Sequence, residues 1–154
     1  MVYVYGSAKI SGLVQINLIE STVTHVSTTG TEPPPLIVDA SLIMADGFLI
    51  ALGGKAATDY TLLYAFDLKK KWWFVFHILP DGLTVSLADG NISDFGMFML
   101  PRVYSLSSAY DSSSKQIISL FGSYPKEPPQ IIQLDLSDAL SVIHLSDDMI
   151  QAIQ

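Results

Sequence analysis

The chain predicts an all-β fold, and three observations carry that expectation. Its apolar runs are short and rich in Val, Ile, Thr and aromatic residues. Gly, Pro, Asp and Ser punctuate them at close intervals. The runs also recur in three units of similar layout. The 154 residues fit one ordinary domain, and 49% are apolar with a mean hydropathy of +0.40. So apolar a chain wants extensive burial, within itself or against something else.

Taken in order, Val2 to Tyr5 is an apolar strand that ends at Gly6. Gly12 to Leu18 alternates loosely, and Thr22 to Ser27 is rich in β-branched residues. Thr28 to Pro35 reads as a loop, because its three prolines cannot join a ladder. Ile37 to Met44 and Phe48 to Leu52 flank a turn at Asp46-Gly47. Gly53 and Gly54 follow, then Tyr60 to Asp67, a turn through Lys69, Lys70 and Lys71, and Trp72 to Leu79. After an irregular stretch come Val103 to Tyr110, a turn through "DSSSK", and Gln116 to Phe121. A Pro-rich loop then leads to Gln130 to Leu136 and Leu140 to Leu145. Only Asp147 to Gln154 carries a plausible helical turn.

These strands repeat. "VYVYGS", "GLVQINL" and "STVTHVS" form the first unit; "FLIALGG", "TLLYAFDL" and "KWWFVFHI" the second; "IISLFGS", "QIIQLDLS" and "LSVIHLS" the third. Gly6 and Gly53 lie 47 residues apart, Gly53 and Gly122 lie 69 apart, and the excess falls between Pro80 and Arg102. A period of about 45 residues with four strands per unit is the spacing of β-propeller blades.

The second unit resembles a kelch repeat: a hydrophobic strand ending in Gly53-Gly54, a strand carrying Tyr64 and closing on Asp67, then Trp73 six residues later. The third unit keeps Gly122 and Asp135, with Ser123 and Ser141 at the other positions. The first keeps Gly6, with Ser7, Asn17 and Val23. The resemblance implies a partial kelch-type β-propeller of about three four-stranded blades. Blade one spans 2–35 and lacks its inner strand, blade two spans 36–79 and blade three 103–146. An insertion occupies 80–102 and a tail 147–154. In that frame the glycines allow a tight bend and a close neighbour, and "FLIAL" is apolar on both faces, as a sandwiched strand must be. Trp73 wedges between sheets, and Asp67 accepts backbone N–H bonds at a turn. Three blades make an open arc, since propellers close with about four to eight.

Few kinds of chemistry fit the composition. With no cysteine, thiol catalysis, thiolate metal sites and disulfides are excluded, and a reducing, cytoplasmic location is expected. Copper enzymes such as galactose oxidase share the kelch architecture, but their Tyr–Cys cofactor has no counterpart here. With a net charge of −7 and no basic stripe, no nucleic-acid partner is expected; Lys69 to Lys71 read as a solvated turn. No run is long enough to suggest a membrane span. His25, His77 and His144 fall on the last strand of successive units, where equivalent positions diverge rather than gather round a metal. "DGNISD" lacks the Gly and Glu of an EF-type calcium loop. Gly54-Lys55 is not a phosphate loop, and no nucleophile elbow occurs. No cofactor is expected.

The resemblance implies a non-enzymatic protein-interaction module, completed by another protein or a second copy. The insertion offers a partner-binding surface of Asp81, Asp89, Asn91, Asp94, Phe95, Met97, Phe98 and Arg102. The other reading of its apolar residues is an extra strand or lid over the blades. Two further functional readings stand beside this one. The chain is a structural piece of a larger propeller, in the style of the large fungal signalling regulators that "WWFVFHILPDG" resembles. Alternatively it is an enzyme using Asp81, Asp89 and Asp94 as acid and base.

Overall fold

The computed structural model describes residues 1–6, 12–34, 38–80, 90–120, 122–123 and 131–143. Within them the chain is mostly strand, arranged in small, predominantly antiparallel sheets, none of which closes on itself. The first sheet is a meander of β1 (Val2–Tyr5), β2 (Leu13–Asn17) and β3 (Thr22–His25). The middle sheet holds β5 (Val38–Ala45), β6 (Phe48–Lys55), β8 (Leu63–Asp67) and β9 (Trp72–Phe76), with the short β4 (Thr29–Gly30) added parallel to β9. The third holds β12 (Ser107–Asp111), β13 (Gln116–Leu120) and β14 (Ile132–Asp135). A small fourth sheet joins β7 (Tyr60–Thr61), β10 (Asn91–Ile92) and β11 (Phe98–Pro101).

The turns follow from local chemistry. Asp46 and Gly47 both take positive φ, 45° and 88°, as a two-residue hairpin turn requires. Three other hairpins use a four-residue turn opened by an Asx side chain. Asn17 Oδ1 accepts from the N–H groups of Ile19 and Glu20, Asp67 Oδ1 from Lys69 and Lys70, and Asp111 Oδ1 from Ser113. Each of these turns ends on a left-handed residue: Ser21, Lys71 or Lys115. The carboxylate role expected of Asp67 is therefore present, and Asn17 fills the same role in the first sheet.

Strand alternation builds two cores, one on each face of the middle sheet. Leu49, Ala51, Tyr64, Phe66 and Trp73 face the first sheet, where Tyr3, Tyr5, Leu13 and Val26 pack on them. Phe48, Ile50, Leu52, Leu63, Ala65 and Phe76 face the third, meeting Ile117, Ile132 and Leu134. β6 is thus buried on both faces, as its continuous apolar run predicts. β12 runs beside β5, and Lys115 Nζ reaches Asp46 Oδ2 at 2.7 Å, tying two turns together.

Tyr5 closes the first core from above, its hydroxyl donating to the Pro33 carbonyl at 2.8 Å. Burial, then the Glu32 carboxylate and Tyr64, push its pKa up from 10.0 to about 12. An unfolded tyrosine ionises near the lower value while the folded one keeps its proton. Between the two the unfolded state binds fewer protons, and stability falls as pH rises. Urea melts from about pH 9 to about pH 12 are expected to show a shallower alkaline loss for Tyr5→Phe than for the wild type.

Four expectations need correction. Residues 140–143 do not form a strand: a helix, α1, spans 137–143. Leu136, Ala139, Leu140 and Ile143 recur at helical spacing and join the core over the third sheet. Asp135 Oδ1, just before the helix, accepts from Ser137 N. The loop from Thr28 contains β4, whose two residues lie on the N-terminal side of the prolines. Tyr60 to Asp67 is split into β7 and β8, which belong to different sheets. Gly122 also shifts by one place. It lies six residues after Gln116, the partner of Asp135, as Gly54 lies six after Phe48, the partner of Asp67. Gly122 therefore matches Gly54 rather than Gly53. Ser7, His144 and the tail at 147–154 lie outside the described residues.

Candidate functional site

Residues 90–102, in the segment between the second and third units, form a hairpin seated where the middle sheet ends in glycines. β10 and β11 pair with each other, and β11 pairs with β7, which immediately precedes β8. Ser93 organises the bend: its N–H donates to the Met97 carbonyl, its carbonyl accepts from Gly96, and its hydroxyl accepts from Met97 N. Gly96 takes a φ of 76° there. Beyond β11, the Val103 carbonyl accepts from Gly54 N at 2.9 Å.

The expected surface residues separate into two groups. Asn91, Asp94 and Phe95 are exposed, Phe95 at 93%, and Met97 is half-buried. Ile92, not among the expected residues, is also exposed and sits beside them. Phe98 does not belong to a contact surface: it lies in the core with Leu100. A Cβ on Gly90 would meet its ring at 2.3 Å, so that glycine is needed where the segment folds over it. Arg102 is buried as well. Its Nε donates to Thr58 Oγ1 at 2.9 Å and to the Tyr60 carbonyl, and its N–H to the Asp59 carbonyl. Burial lowers its pKa, with Tyr64 opposing. Arg102 is a clamp that fixes the hairpin base to residues 58–60, where the chain enters β7. Asp81 and Asp89 lie outside the described residues.

Phe98 and Leu100 thus cover the core, as the strand-or-lid reading expects, while Asn91, Ile92, Asp94 and Phe95 stay exposed. Alternation along β11 sends Phe98 and Leu100 inward, a pattern visible in "FMLP" only once its partner strand is known. Phe98→Ala is expected to cost about 3–4 kcal/mol. Phe95→Ser is expected to stay within about 0.5 kcal/mol of wild type. Chemical denaturation of both variants checks the division.

His25 and His77 are exposed; His25 lies on β3, the edge strand of the first sheet, and His77 just after β9, whose edge is paired with β4 in the middle sheet. Among the described residues no three His, Asp or Glu gather as metal ligands, and no helix is long and apolar enough to cross a membrane. Set against family models, curated proteins and solved structures, the chain matches none.

Proposed function

We propose that this chain is a non-enzymatic protein-interaction module, built as an arc of three kelch-like blades. It presents the 91–95 bend to a protein partner. The observation that carries the reading is the middle sheet, a four-strand meander buried on both faces between two sheets of the same antiparallel build. Face-to-face stacking of short meanders, with a glycine-ended second strand and an Asx-closed third, is how propeller blades pack. On this arc the bend gathers Ile92 and Phe95 beside Asn91 and Asp94, an apolar contact rimmed by polar groups. The partner is a protein carrying an apolar pocket.

The test is capture of interacting proteins by immobilised wild type and by an Ile92→Ser, Phe95→Ser double variant. Both positions are exposed, so the variant should melt like wild type. Loss of a captured protein with an unchanged melt is expected; equal capture by both forms overturns the bend as the binding surface. A second reading, a structural piece of a larger ring, is favoured by exposed Val2 and Val23 on the first sheet's outer face. A cytoplasmic location and a role in a signalling regulator belong to the same proposal.

A further inference from the structure

The two outward faces of the stack are unlike, and each repeats a face that is covered inside the chain. In the first sheet Val2 opposes Ile16, which opposes Val23. In the middle sheet Leu49 opposes Phe66, which opposes Trp73. Counted from the turn, Asn17 faces Thr22 as Asp67 faces Trp72, so the two rows coincide. The middle-sheet row is the face that receives the first sheet. Its counterpart on the first sheet points away from the stack, with Val23 66% exposed, Val2 exposed and Ile16 half-buried, while Val14 on the same face is buried within the chain. Leu18 and Ile19, in the adjoining turn, are exposed as well.

The third sheet carries the opposite half of the contact. Gln116 faces Asp135 as Phe48 faces Asp67, which puts Ile118 in the place of Ile50 and Ala109 in the place of Ile43. Ile50 and Ile43 belong to the face covered by the third sheet. Ile118 and Ala109 face outward, Ile118 at 42% exposure. Among the described residues no Lys, Arg, Asp or Glu occupies the centre of either outward face; Gln116 and Gln133, hydrogen-bonded to each other, flank Ile118, and Asp111 and Asp135 lie at the end of the third sheet.

Resting on the stacked-blade reading above, we infer that a second copy of this chain is the occupant of both faces. The first sheet of each copy receives the third sheet of the other. One chain carries a receiving face and an entering face, so a head-to-tail pair continues the stacking already present within the chain. Twice three sheets falls within the four to eight that complete a ring, and a two-fold arrangement satisfies both faces at once.

The test is mass in solution by light scattering for wild type, Val23→Glu, Ile118→Glu and an equimolar mixture of the two variants. Wild type is expected at twice the 16.8 kDa chain mass, and each variant alone at the chain mass with an unchanged melt. The mixture should regain paired species, because Val23→Glu keeps its third-sheet face and Ile118→Glu its first-sheet face. A dimeric Ile118→Glu overturns the inference, since first-sheet faces would then meet each other. Open-ended growth of wild type overturns the closed pair. A monomeric wild type whose dye binding is lost in Val23→Glu removes the second copy but leaves the open arc intact. A monomeric wild type with no dye binding removes both.

Discussion

Trp73→Ala is expected to lose about 3–5 kcal/mol in urea melts, the largest loss among the side-chain truncations considered. The indole is fully buried between the first and middle sheets. It meets the Tyr5 ring edge-on at 5.2 Å and the Phe66 ring at 5.0 Å. Its Nε1 has no hydrogen-bond partner among the described residues, so its contribution comes from burial and ring packing. Truncation leaves a cavity that neither sheet can close without moving its whole face. Trp72, one residue earlier, points to the other face and is 45% exposed. It packs on Phe74 at 5.5 Å, and a Cβ on Gly30 would meet its ring at 2.3 Å. Trp72→Ala should cost about 1 kcal/mol, in line with partial burial. Equal losses at the two positions would contradict the alternation of β9.

Gly53→Val is expected to cost on the order of 4 kcal/mol or more, or to prevent folding. Two causes act together. Gly53 has a φ of 71°, which β-branched side chains avoid, and a Cβ there would stand 1.9 Å from the Val103 carbonyl oxygen. That carbonyl cannot retreat easily, because Gly54 N donates to it. Gly122→Val should cost less. Its φ is not in the left-handed region, and the nearest atoms are the Val103 and Leu106 side chains, which have rotamers to give. Ser123→Val should cost least, since Ser123 is exposed. Melts of the three variants in that order check the close approach of β6 to the chain leaving the hairpin at Val103. A Gly53→Val protein that melts like wild type would remove it.

The strand runs, the Asp46-Gly47 turn, the turn opened by Asp67 and the burial of β6 on both faces were legible from local sequence. Each depends on residues within one turn or one strand: a side-chain oxygen two residues from the N–H it accepts, or a run with no polar face to expose. The kelch resemblance also placed Trp73 between sheets. What depends on distant partners was set by packing. "ALSVI" is apolar at both strand and helical spacings, and its packing over the third sheet selects the helix. β4 is a two-residue element with no local signal and β7 splits from the run that ends at Asp67; each is set by the remote strand it pairs with. Gly122 took Gly54's place because register is set by cross-strand pairing with Asp135, across a loop whose length differs from the one before Asp67. The burial of Phe98 and Arg102 follows the same physics. Both sit in an insertion whose composition suits a surface, and only the docking of β11 on β7 turns one side of it inward while leaving Phe95 in solvent.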